Sequence, residues 1–289
     1  MTPVADRARK SQIPWTFCWF GLLLLATYAP VLQKLGAVWY DNPDMGHGFF
    51  VPVLSVFMVW QRREELLAIK PQPNWWGLAV VLWGMLLLIL GTLGAEPFLS
   101  NTAFVITLVG VLWTLGGTIM LNKLAFPLFL LCFMIPLPAV IYTRLTFPLQ
   151  ILASKLATGA LMLVNVPVLR EGNVLELPTQ KLSVVEACSG IRSLLSLTFL
   201  SLVYGHFFER RTWLRVVLFL STIPIAILAN GSRVTITGIV SQIKPELAEG
   251  FFHESTGWVI FMIALGILVL FHRILARGAA WAEARRTKG

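Results

Sequence analysis

Stretches of roughly twenty apolar residues recur along this chain from end to end, and each is long enough to cross the hydrocarbon core of a bilayer as a helix. Inside lipid every backbone polar group needs a partner within the protein, so helices and closed barrels are the spanning structures available. Here the runs are continuous rather than alternating, which excludes a barrel. The chain is therefore expected to be an all-α polytopic membrane protein, a single integral-membrane domain over 1–289. Only 13% of its residues are charged and 57% are apolar, where a soluble domain carries about 25% charge.

Spans are expected near 15–33, 47–61, 75–94, 99–121, 123–142, 188–207, 213–231 and 256–275. Pro136 and Pro138 should kink or break the fifth. The apolar run at Trp15–Leu32 follows Arg7, Arg9 and Lys10, but no small-residue cleavage site follows it, so it is taken as an uncleaved first span. Residues 148–166 are apolar enough to cross, yet Lys155 falls near their middle, where a charge is expensive. That segment is expected at the outer interface or as a re-entrant helix. Between it and position 188, residues 168–187 alternate apolar and polar side chains around Gly172-Asn173, the pattern of a small β-hairpin. The last dozen residues look like a solvated basic tail.

With the N-terminus inside, the outer face holds Lys34, Arg144, Lys155, Arg170, Lys181, Arg192, Arg233 and Lys244, and the other 15 of the 23 basic residues lie inside. That is the positive-inside distribution. It also accounts for the net charge of +9 as topology rather than nucleic-acid binding.

Three cysteines occur, with no CxxC pair or His/Cys ligand spacing, so no metal and no cofactor is expected. Cys18 and Cys132 lie inside apolar runs. Cys188 differs: it stands in Glu186-Ala-Cys-Ser189-Gly-Ile-Arg192-Ser at the start of a membrane-length run. A thiol at a helix N-terminus meets unpaired N–H groups and the positive end of the dipole, which favour thiolate. From there the chain crosses inward, turns at Glu209-Arg210-Arg211 and returns to Asn230-Gly-Ser-Arg233. It then reaches His253-Glu-Ser-Thr-Gly257-Trp258 at the mouth of the last span. Helix arithmetic thus brings Cys188, Arg233 and His253 to one membrane face, although they lie 45 and 65 residues apart.

Imidazole is suited to activating a thiol near neutral pH, and Arg to holding an oxyanion or a carbonyl. Together the three residue types make a thiol acyl-transfer site. Each by itself has a plainer use: a helix-start His as a cap, an Arg at a span end as a snorkelling anchor, a membrane Cys as inert packing. Topology places His206 and His272 at the inner face, which leaves His253 and, in reserve, His47 of Gly46-His47-Gly48 as bases. Glu186, Ser189, Asn230 and His47 are supporting candidates.

Ala-Cys188-Ser-Gly, Asn-x-x-Arg233-Val and His253-x-x-x-Gly-Trp, in that order and spacing, resemble the three motifs of the exosortase/archaeosortase family. The resemblance covers most of the chain. It implies a membrane cysteine protease/transpeptidase of the inner membrane of Gram-negative bacteria, with its site facing the periplasm. Cys188 would be the nucleophile, His253 the acid/base and Arg233 the electrostatic partner. The substrates implied are secreted proteins ending in a Pro-Glu-Pro (PEP-CTERM) motif, a transmembrane helix and an Arg cluster. The released body would go to water or to a polysaccharide-linked or lipid-linked acceptor. Arg144, Arg170, Lys181 and Arg192 are candidates to meet the acidic motif. The rival readings are a polytopic transporter, for which the proline-broken helix and Lys155 speak, and a non-catalytic partner in polysaccharide export.

Overall fold

The computed structural model describes residues 15–184, 191–244 and 250–286, the side chains of 250–254 and 286 excepted. Two compact units divide the chain, residues 1–138 and 139–289. Among the described residues seven helices are long and apolar enough to cross a membrane.

The first unit contains α1 (Trp15–Asp41), a 3-10 turn (Pro43–Phe49), α2 (Phe50–Gln61), α3 (Arg63–Ala68), α4 (Trp75–Leu93) and α5 (Pro97–Leu130), the last continued by a 3-10 turn (Leu131–Met134). Local chemistry starts the helices. The Asn74 side chain accepts from Trp76 N–H at 2.9 Å. Glu96 accepts from Phe98 N–H at 3.1 Å, with Pro97 at the first helical position. Within α5 the helix breaks at Gly117 (φ +79°), where a Cβ would lie 2.0 Å from the Gln72 carbonyl oxygen. Only glycine permits that backbone to pass so closely.

The α4–α5 hairpin is closed by three glycines, seven residues apart, that face three hydroxyl side chains with the same spacing. A Cβ on Gly77 would meet Thr114, one on Gly84 would lie 2.2 Å from Thr107 Oγ1, and one on Gly91 would lie 2.5 Å from Ser100 Oγ. Lipid provides no hydrophobic drive between apolar helices, so close backbone approach at small residues is what joins them. Gly84→Leu should therefore destabilise this unit by about 1–3 kcal/mol, the usual cost of overpacking. A lowered thermal midpoint in detergent checks this, and Leu82→Ala on the lipid-exposed side should leave the midpoint nearly unchanged.

After Leu130 the chain leaves the α-helix and passes through Pro136 and Pro138, which have no N–H to offer. The carbonyls released there are met by side chains. Trp39 Nε1–H donates to Met134 O at 2.9 Å and His47 Nε2–H to Phe133 O at 3.2 Å.

The second unit contains α6 (Ala139–Leu163), three strands, α7 (Ile191–Phe208), α8 (Thr212–Ile243) and α9 (Gly250–Arg286). Segment 148–166 falls mostly in α6, which has the length and composition of a span. It runs alongside α8 in the same direction: Gly231 abuts Leu156, and Gly238 abuts Leu161. The expected hairpin is present as β1 (Leu169–Glu171) and β2 (Val174–Glu176), joined at Gly172 (φ +65°) and Asn173. A further strand, β3 (Lys181–Ser183), extends it to a three-stranded antiparallel sheet in the order β1-β2-β3. Alternate residues Leu175, Leu177, Leu182 and Val184 are buried against Ala153, Ala157 and Leu161 of α6 and Val234 of α8. Ser154 Oγ–H donates to Gly172 O at 3.0 Å, and Asn173 Nδ2–H donates to Gln150 Oε1 at 3.1 Å. The sheet is thus fastened to the two helices that flank the candidate site.

At the end of this unit remote from the sheet, a polar chain is buried. His272 Nε2 is 3.0 Å from Glu209 Oε2, and Tyr204 OH is 3.1 Å from His272 Nδ1. Arg211 N–H donates to Glu209 Oε1 at 2.8 Å. Burial raises the Glu209 pKa, but the Arg211 amide, His272 and the Arg210 amide outweigh it and hold the carboxyl below its ordinary range. The final described residues continue as exposed helix to Arg286, and Arg211 pairs with Glu283 at 2.6 Å.

Candidate active site

The site is built on the C-terminal half of α8. Asn230, Gly231, Ser232 and Arg233 lie in unbroken helix, and the two glycines of this half, Gly231 and Gly238, let α6 approach closely. Arg233 is half-buried and turns towards α9. Its guanidinium lies against Gly257: a Cβ there would sit 2.9 Å from Cζ and 3.0 Å from one terminal nitrogen. Glycine at 257 makes room for the planar fork on the backbone of α9. Position 253 is one helical turn earlier on the same face of α9 as Gly257. Arg233 therefore packs on the helix face that carries position 253.

Cys188 lies outside the described residues, as do Glu186 and Ser189. The described chain stops four residues before it at Val184, which is fully buried in the cluster containing Val234, and resumes three residues after it at Ile191, the start of α7. The His253 side chain also lies outside the described residues. Asn230 is buried, 5% exposed, and its Nδ2 has no hydrogen-bond partner among the described residues.

The reserve base, His47, belongs to the first unit, where its Nε2 serves the Phe133 carbonyl. Burial lowers its pKa, against the opposing effects of the Phe133 carbonyl and Asp44. Of the cations proposed to meet an acidic substrate, Arg170 donates to Gly172 O at 2.8 Å, closing the hairpin turn, and Lys181 pairs with Glu176 across the sheet. Arg192, in the first turn of α7, and Arg144, on α6, are exposed. Among the described residues no three His, Cys, Asp or Glu side chains gather as a metal site would require.

Two features of this unit escaped the sequence reading. The role of Gly257 was missed although the Gly-Trp pair is conspicuous, because only the packing of α8 on α9 gives that glycine a neighbour. The Tyr204–His272–Glu209 chain was missed because its members are spread over 68 residues.

Residues 39–270 match the family model of the transmembrane exosortases (Exosortase_EpsH). Comparison with curated proteins and with solved structures found no match. The family match includes all three motif positions and most of the chain. The chain therefore belongs to the transmembrane exosortase family, multi-pass membrane proteins of the cysteine transpeptidase class.

Proposed function

We propose that this protein is an inner-membrane cysteine protease/transpeptidase that cleaves C-terminal Pro-Glu-Pro-type sorting tails of secreted proteins at the periplasmic face. The observation that carries this reading is the seating of Arg233 on Gly257, on the α9 face that also holds position 253. Cys188 is tethered within three residues of Ile191 and four of Val184, so covalent reach keeps it within roughly 11–14 Å of either Cα. In the proposed reaction His253 takes the thiol proton and the Cys188 sulfur adds to the scissile carbonyl carbon. Arg233 stabilises the resulting oxyanion. The C–N bond then breaks as His253 protonates the leaving amine, and the thioester passes its acyl group to water or to an amine or hydroxyl acceptor linked to exported polysaccharide. Arg144, Arg170, Lys181 and Arg192 stay the candidates to meet the acidic motif.

The test is co-expression with a reporter ending in Pro-Glu-Pro, an apolar helix and an Arg cluster. Wild type should release a shortened product, and a reporter left at full length would overturn the function. The topology has its own check. A cysteine at position 173 should be labelled from the periplasm and one at 289 from the cytoplasm, and cytoplasmic labelling of 173 would put the site on the wrong side.

The base is assigned by comparing His253→Ala with His47→Ala on the same reporter. His253→Ala should slow processing about 10²-fold or more while substrate still co-purifies, because the tail helix docks elsewhere. His47→Ala should show a smaller defect that follows stability. An inactive His47→Ala beside an active His253→Ala would transfer the role.

A further inference from the structure

The chemistry above leaves the buried carboxamide of Asn230 without a task. Among the described residues its Nδ2 has no partner, and a buried donor left unpaired opposes folding, so a protein retains one where something else requires it. Asn230 is three residues before Arg233 on α8, about 4.5 Å along the axis. It lines a small pocket with Leu149 of α6, Leu194 of α7, and Ala226 and Ile227 of α8. The pocket measures about 10 Å³, room for about one oxygen atom. Its other walls are apolar, which leaves the Asn230 amide as the polar group of its lining. Leu194 is six residues after Cys188, so the pocket borders the start of α7.

A peptide presented for cleavage is extended across the scissile bond, and its carbonyls there lack the partners that a helix supplies. At membrane depth water does not supply them either. We propose that this pocket is a subsite for the substrate's peptide chain, in which Asn230 Nδ2–H donates to one of its main-chain carbonyl oxygens. This rests on the proposed function in taking the substrate to be a peptide. Asn230 then binds and positions the chain beside Arg233 and takes no proton.

The experiment uses the full-length protein in lipid nanodiscs. The probe is a synthetic peptide of Pro-Glu-Pro, an apolar helix and an Arg cluster, with a diazirine-bearing leucine next to the Pro-Glu-Pro. In the Cys188→Ser background, photo-crosslinks should map to Leu149, Leu194 or Ile227 and weaken in Asn230→Asp, which keeps the shape but loses the donor. In the active protein Asn230→Leu and Asn230→Asp should lower kcat/KM at least about tenfold, the scale of one lost hydrogen bond, and Asn230→Ser should recover part of it. The Tm of Asn230→Leu should equal or exceed that of wild type, because the unpaired donor is gone. Unchanged kcat/KM in Asn230→Leu, crosslinks elsewhere, or a fall in Tm shared by Asn230→Leu and Asn230→Ser would each overturn the subsite. If wild type leaves the probe uncut while crosslinks still map to the pocket and weaken in Asn230→Asp, the proposed reaction fails and the subsite stands.

Discussion

Cys188→Ser should leave the protein folded and should reduce processing of the sorting-tail reporter below detection, a loss of about 10³-fold or more. Thiol and hydroxyl are close in size, so the exchange changes little in volume. What changes is the nucleophile. A free thiol ionises near pH 8.5 and more readily beside a helix N-terminus, whereas a serine hydroxyl is far less acidic and reacts only where a base is placed for it. The measurement is reporter processing in cells, paired with the thermal midpoint of each purified protein. Normal processing by Cys188→Ser would remove the acyl-enzyme, and with it the enzyme reading. A transporter or a passive assembly partner would tolerate this substitution, so the same result would favour those alternatives.

The second large effect is expected at the contact between α8 and α9. Arg233→Lys should lower the processing rate about 10²–10³-fold, the range seen when one preorganised donor to an oxyanion is removed. An ammonium keeps the charge but lacks the planar fork that can hold two acceptors together. Gly257→Ala tests the same contact from the other helix. Its new Cβ would fall 2.9 Å from the Arg233 Cζ, and the guanidinium, at the end of a flexible side chain, must move aside. Alanine is also the better helix former by up to about 1 kcal/mol. Gly257→Ala should therefore be at least as stable as wild type and about tenfold or more slower, since small misplacements of a positioned group are costly in rate. A normal rate for Arg233→Lys would make Arg233 a generic membrane anchor. A normal rate for Gly257→Ala would mean that the seat of the guanidinium on α9 does not matter to the reaction.

The polytopic all-α character, the hairpin at Gly172-Asn173 and the break at Pro136 and Pro138 were legible in the sequence because each rests on local chemistry. A run of about twenty apolar residues has few other uses. Glycine tolerates a positive φ in a tight turn, and proline cannot donate to a helix ladder. The family was legible as well, and the match over 39–270 bears it out. The third strand was not foreseen, because Lys181–Ser183 is too short to show a pattern until it pairs with β2.

Tertiary structure decided which faces of the helices meet. Gly77, Gly84 and Gly91 recur every seven residues, and so do Ser100, Thr107 and Thr114, but neither series names the other as its partner. The seat of Arg233 on Gly257 and the burial of Asn230 beside a small pocket belong to the same class of fact, and so does the burial of Glu209 with His272. The physical reason is the solvent. In water a helix advertises its buried face as an apolar stripe, but in lipid both faces are apolar and the stripe disappears. What remains to mark an interface is the occasional glycine, hydroxyl or charge, and its meaning depends on a neighbour that only the folded chain supplies.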